Sequence, residues 1–274
     1  MSLGSKVAQP IRAFTPDLQP DTITLVCDVD HTVLEEGGST ARLAARLRPL
    51  QEDHRLRLVL NSSRFVDSIA GSVRETELAT PQWVIGGMGT QIHQWDTRAN
   101  LAAPCAAGEK WAAHLGETFS AARIDHLIQD HAGGAAGFCM HDADSLSSLK
   151  RSFDWPAAEP AALSRLQAAL DGAGQHAKVI YSSNLHCDVI PRAAGKGAAM
   201  EALIEHECWH RGDVIACGDS GNDQEMLESA PRAVVVGNAQ PELLRLSSPH
   251  LYHAQGTAGD GVWEGLLHHF PKLR

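Results

Sequence analysis

The sequence predicts an α/β protein whose parallel sheet is interrupted by a second, α+β unit. Three observations predict this. Apolar runs of strand length alternate with amphipathic runs of helix length, which marks βαβ units and a parallel sheet. That alternation stops near residue 90 and resumes near residue 189. The 274 residues, 43% of them hydrophobic, suffice for one large core or two smaller ones.

In the first stretch, TITLVCDV reads as a buried strand and STARLAARLRPLQEDH as a helix, with Ser39 or Thr40 as its N-cap. LRLVLN is a second buried strand, SSRFVDSIAGSVRETEL a second helix and QWVIGG a third short strand. The pattern then becomes Ala-rich. A hairpin is expected near GMGTQIHQWD, then one helix over EKWAAHLGETFSAARIDHLIQDH and a strand at GFCMH. A helix at PAALSRLQAALDG and strands at AKVIYSS and HCDVIP complete the insert. Alternation resumes with GKGAAMEALIEHECWH as a helix, DVIACGD as a strand and NDQEMLESA as a helix. RAVVVG, PELLRLSS, HLYHA and GDGVWEGLLHHF follow as strand, helix, strand and helix. The expected division is a core of residues 1–90 and 189–274, with an insert of residues 91–188.

Composition excludes several classes. No run approaches the ~20 apolar residues of a membrane helix, and no secretory apolar region opens the chain. MSLGSK reads as a disordered start and carries no fold information. A net charge of −10 argues against nucleic acid or an anionic membrane as partner, though not against a small anionic substrate. Cys27, Cys105, Cys139, Cys187, Cys208 and Cys217 show no paired spacing. A reduced, cytoplasmic protein is therefore expected, a monomer or small homo-oligomer.

Three core strands end in polar clusters. The first ends in Asp28-Val29-Asp30-His31-Thr32, the second in Asn61-Ser62-Ser63-Arg64, and DVIACGD in Gly218-Asp219-Ser220-Gly221-Asn222-Asp223. Ligands of open parallel sheets bind outside the carboxyl ends of the strands, so these clusters converge on one crevice. Gly195-Lys196-Gly197 opens a helix and can supply a cation there. Asp28 and Asp30, two apart in extended chain, point to one side and repel. A hard divalent cation such as Mg²⁺ removes that repulsion and takes carboxylate oxygens, waters and phosphate. Lys196, Ser62 and turn N–H groups suit a phosphoryl group. A carboxylate can then attack phosphorus while a second carboxyl moves the proton.

Asp28-Val29-Asp30-His31-Thr32 resembles the DxDxT signature of the haloacid dehalogenase-like phosphatases. Asn61-Ser62-Ser63-Arg64 resembles their second motif, Lys196 falls where the third belongs, and GDSGND resembles the fourth. All four occur in order across both halves of the core. The resemblance implies a Rossmann-like parallel-sheet core with an inserted cap. WVIGGMGTQI, YSSNLHCDVIPRAAGKGAAMEAL, GDSGNDQEML and GDGVWEGLLHHF resemble the sucrose-phosphate phosphatase branch within the cap class shared with Cof-type enzymes. It implies Asp28 as nucleophile and Asp30 as general acid and base. It implies Mg²⁺ held by Asp28, the main-chain carbonyl of Asp30, Asp219 and Asp223. Ser62, Ser63, Lys196 and Asn222 are the implied phosphate contacts. Arg64, Ser183 and Asn184 are candidates for the substrate, with Arg64 alternatively anchoring a loop and the other two alternatively plain turn residues. The expected activity is Mg²⁺-dependent hydrolysis of a phosphorylated sugar of the sucrose 6-phosphate or mannosylfructose-phosphate type. The alternatives are a broad Cof-type hexose or polyol phosphatase and a non-catalytic sugar-phosphate-binding domain.

His206-Glu207-Cys208-Trp209-His210 matches the H-E-x-x-H zinc protease pattern, in which both histidines share one helix face. Arg211-Gly212 is expected to end that helix at once and a core strand follows. A solvated helix end, with histidine near the C-terminal dipole, is the expected reading.

Overall fold

The computed structural model describes residues 22–116, 119–143 and 146–273. The expected disordered start lies outside these residues. Among them an eight-stranded sheet is built from β1 (Ile23–Cys27), β2 (Leu56–Asn61), β3 (Trp83–Gly86), β4 (Gln91–Asp96), β5 (Leu101–Pro104), β10 (Val214–Gly218), β11 (Ala233–Val235) and β12 (Leu251–His253). Their order is β12-β11-β10-β1-β2-β3-β4-β5. The strands from β12 to β3 are parallel, and β4 and β5 are antiparallel. From β1 the chain runs outward to β2 and β3, then returns to the other side of β1 for β10 to β12. That reversal opens a crevice at the carboxyl ends of β1 and β10.

Alternation along β1 explains the layering. Leu25 and Cys27 point into one apolar cluster and Val26 into another. The first cluster packs under α1 (Ser39–Glu52), α2 (Val66–Glu75) and α9 (Ala258–His269). The second packs under α3 (Ala106–Leu115), α6 (Lys196–His206) and α7 (Gln224–Ser229). The short α8 (Pro241–Leu244) buries Leu243 in the second cluster.

The remaining elements form a separate four-stranded antiparallel sheet, order β6-β7-β9-β8, from β6 (Cys139–Met140), β7 (Arg151–Asp154), β8 (Ala177–Ser182) and β9 (His186–Pro191). One face packs on α4 (Ala121–Ala132) and α5 (Pro160–Gly172) through Ile124, Ile128, Phe153, Leu166, Leu170, Cys187 and Val189.

Several expectations change. β4 and β5, expected inside the insert that starts at residue 91, extend the large sheet instead. Ile92 and Trp95 bury into the two core clusters on opposite faces of that sheet, so β4 is covered on both sides. The single helix expected over 109–131 is two helices: Gly116 closes α3, and extended Ser120 precedes α4. Ser39 and Thr40 do not cap α1, whose N-cap is Gly38 at φ 85°. Thr40 Oγ1 instead bonds the backbone of Glu35. Helix α6 stops at His206, and Cys208 follows at φ 53°. His210 therefore lies outside the helix, bonded to Asp213, and the H-E-x-x-H face does not form.

Candidate active site

A cleft of about 680 Å³ lies between the carboxyl ends of the core strands and the second sheet. Asp28, Asp30, Ser63, Arg64, Asp219 and Asn222 line its core side. Lys196 and Asp223 lie under its floor, both almost completely buried.

An ionic cluster underlies the floor. Lys196 Nζ donates to Asp28 Oδ1 and to Asp223 Oδ1, each at 2.6 Å. Asp223 Oδ2 accepts the backbone N–H groups of Asp219 and Ser220 at 3.1 Å, closing a capping box with Ser220. The turn that ends β10 is thereby fixed against the first turn of α6. Burial and the neighbouring Asp223 push the Asp219 carboxyl up to about 6, against Lys196, His31 and a Thr32 hydrogen bond. Burial likewise raises Asp28, with Lys196 opposing it and Asp223 and Asp219 adding to it. Burial lowers Lys196, but Asp223 and Asp28 together outweigh it and hold the ammonium above its usual range.

Ligand oxygens of Asp28, Asp219 and Asp223 lie within 4.8 Å of one another. Three carboxylates against the single ammonium of Lys196 leave two negative charges uncompensated. Asn222 Oδ1 is buried and accepts no hydrogen bond from the described residues. An all-oxygen donor set with that deficit fits a hard divalent cation and does not suit zinc or copper.

Lys196 reaches the site because two backbones meet closely. Gly89, in the turn between β3 and β4, has φ 79°, and a Cβ built on it would lie 2.1 Å from the Gly195 carbonyl oxygen. Only glycine permits both that conformation and that approach. Asn61 Nδ2 donates to the Lys196 carbonyl at 3.0 Å and ties the end of β2 to the same point.

The remaining predicted residues divide. Ser63 faces the cleft, whereas Ser62 is 1% exposed and its Oγ accepts the Arg64 N–H at 3.1 Å. Arg64 does two things: Nη1 bonds Asp30 at 3.2 Å, and its other nitrogens bond Ser68 and Ser72 on α2. Ser183 and Asn184 are the two left-handed residues of the three-residue connection between β8 and β9, at φ 53° and 54°. Ser183 lines the cleft. Asn184 is turned away, its Oδ1 accepting the Tyr181 hydroxyl at 3.4 Å.

The second sheet supplies a wall that motif reading missed. Register places Ser152 opposite Asp188, Asp154 opposite His186, and Ser182 opposite His186. His141, Lys150, Ser152, Asp154, Ser182, His186 and Asp188 therefore share the face opposite the apolar one. Of these, His141, Lys150, Ser182, His186 and Asp188 line the cleft. Lys150 Nζ bonds Asp188 at 3.2 Å and the Ser63 carbonyl at 3.0 Å, joining this wall to the loop after β2. The signal was present in the sequence as Lys150-x-Ser152-x-Asp154 and His186-x-Asp188, polar at every second residue.

Comparison with known proteins bears on the family and the fold. A family model described as sucrose-6F-phosphate phosphohydrolase matches residues 21–270. Mannosylfructose-phosphate phosphatase of Agrobacterium fabrum is 34% identical, over 89% of this chain and 95% of its own. Sucrose-phosphatase 1 of Nicotiana tabacum is 27% identical over 90% of this chain, which spans 59% of the tobacco protein. The sucrose-phosphatase of Synechocystis sp., solved in complex with sucrose and phosphate, shares the fold. Its TM-score is 0.79 at 24% identity, over 91% of this chain and 98% of that one. By its family match and by a relative one-third identical along nearly its whole length, the chain belongs to the sucrose-6F-phosphate phosphohydrolase family, within the haloacid dehalogenase-like phosphatases.

Proposed function

We propose that the chain is a Mg²⁺-dependent phosphatase of a glycosyl sugar phosphate of the sucrose 6-phosphate or mannosylfructose-phosphate type. One observation supports it above others: Asp28 and Asp219 form the floor of a cleft, held from beneath by Lys196 and Asp223, and the opposite wall is a polar sheet face. The floor suits a phosphoryl group, and the wall suits hydroxyls. We read residues 119–191, which carry that wall, as the cap.

Asp28 attacks phosphorus and forms an aspartyl-phosphate as the sugar oxygen departs. Asp30 gives that oxygen a proton and later takes one from the water that attacks the phosphorus of the intermediate. Lys196 fixes the Asp28 carboxylate and, from its buried position, offsets the cost of keeping it ionised. Ser63 and Asn222 face the phosphoryl group, while Ser62 acts behind them by holding the Arg64 backbone. Asp28, the Asp30 carbonyl, Asp219 and Asp223 would hold Mg²⁺, which neutralises charge developing on the phosphoryl oxygens. Selectivity comes from the cap wall, because a site left with unpaired polar groups rejects an analogue strongly.

The test is phosphate release with Mg²⁺ from sucrose 6-phosphate, mannosylfructose phosphate, hexose 6-phosphates and phosphoglycolate. The expected result is a clear preference for the two disaccharide phosphates, abolished by Asp28→Asn. A flat profile across hexose phosphates favours a broad Cof-type activity. Binding with no turnover of any compound favours a sugar-phosphate-binding domain.

A further inference from the structure

We propose that His141, Asp154 and His186 form a second metal site on the cleft-facing side of the cap sheet, for a borderline divalent cation such as Zn²⁺. The three residues come from separate stretches of chain, yet pairing puts them side by side. Asp154 and His186 are directly opposite on β7 and β9. His141 follows β6, and its N–H bonds the Ser152 carbonyl, which places it diagonally from Asp154 on the same face. His141 Nε2 lies 2.8 Å and His186 Nδ1 2.9 Å from the same Asp154 Oδ1. The two rings stand nearly perpendicular, centroids 6.1 Å apart.

This geometry is that of a chelate with protons in place of the ion. Each ring aims one nitrogen at a single carboxylate oxygen, and the atoms lie within 4.8 Å of one another. Zn–N and Zn–O bonds of ~2.1 Å in tetrahedral array separate ligand atoms by roughly 3.4 Å, so each N···O separation has to open by about 0.6 Å to admit a metal. Two imidazoles and one carboxylate suit Zn²⁺, Co²⁺ or Ni²⁺ and are poor for Mg²⁺, so the two sites differ in the metal they select. Among the described residues nothing bonds the outer nitrogens, His141 Nδ1 and His186 Nε2, or Asp154 Oδ2. The cap core does not use the triad either, because the apolar cluster occupies the other face. Side-chain exposures of 29%, 30% and 50% for His141, Asp154 and His186 leave coordination positions open toward the cleft. A bound ion there takes an oxygen ligand from whatever fills the cleft.

The full-length protein is equilibrated with Zn²⁺ in excess Mg²⁺, desalted and its metal content measured. The wild type is expected to retain one equivalent of zinc, and Asp28→Asn to retain the same. His141→Gln and His186→Gln are expected to lose it, because each removes one of the two imidazole ligands. X-ray absorption of the zinc-loaded wild type is expected to show two imidazole ligands, a readout that does not depend on how any variant folds. Failure of the wild type to retain zinc, an all-oxygen shell, or loss of zinc in Asp28→Asn alone overturns the proposal.

Discussion

Arg64 donates from Nη1 to Asp30 Oδ1 at 3.2 Å while its other nitrogens are held by Ser68 and Ser72 of α2. The guanidinium thus acts as a strut between a helix and the proposed acid and base. Arg64→Ala is expected to lower kcat about tenfold, the ~1.4 kcal/mol scale of one charged hydrogen bond in a partly exposed pair. Arg64→Lys recovers little, because an ammonium cannot span both partners. Steady-state phosphate release checks this, and a rise in KM with kcat unchanged assigns Arg64 to substrate binding instead.

Lys196 is the sole cation bonded to Asp28 and Asp223 among the described residues. Its removal leaves buried carboxylates unpaired, which costs about 3–5 kcal/mol. Lys196→Met is expected to unfold at markedly lower urea in metal-free buffer, and Asp28→Asn in the same chain to restore part of the loss. Equal stability of Lys196→Met and wild type contradicts the pairing.

Gly89→Ala forces a Cβ against the Gly195 carbonyl from a left-handed conformation. A loss of more than about 1 kcal/mol of stability is expected, together with loss of activity, because the displaced backbone carries Lys196. Urea unfolding and phosphate release are measured on one preparation. Full activity in the variant shows that the turn and Lys196 are not coupled.

His269 is held down to about 4 from an ordinary 6.5, chiefly by burial, with the Ala233 carbonyl opposing and His268, Arg232 and His250 adding to it. The unfolded chain protonates this histidine below 6.5 and the folded one only near 4. Its contribution is therefore complete above 6.5 and lost as pH falls through that window. His269→Gln is expected to flatten the fall in urea midpoint between those pH values. An unchanged slope places the acid sensitivity elsewhere.

His206→Ala combined with His210→Ala is expected to leave kcat and metal content unchanged, since α6 ends at His206 and the two side chains share no helix face. Loss of both zinc and activity would restore the protease reading.

Much of the core was legible because its chemistry sits at strand ends. Asp28, Ser62 and Asp219 each follow an apolar run, and a parallel sheet brings such ends together without further information. The cap wall was not legible in the same way. His141, Asp154 and His186 become neighbours only through the register of β6, β7 and β9. β5 and β7 escaped the strand reading because each is four residues long, one Ala-rich and one charged at both ends. The helix expected over 109–131 hid a change of layer, since α3 packs with the core and α4 with the cap.

The cap sheet is sealed on one side by Phe153, Cys187 and Val189 and carries Lys150, Ser152, His186 and Asp188 on the other, where only His186 is well exposed. Alternation assigns neighbouring positions of one strand to different tasks. Lys150 and Asp188 are nonetheless buried and bonded to each other, and Lys150 also reaches the Ser63 carbonyl, so this face is tied to the core loop after β2. Under the function proposed above, the pairing of β7 with β9 thus gathers the groups that would meet the sugar onto one face of one sheet.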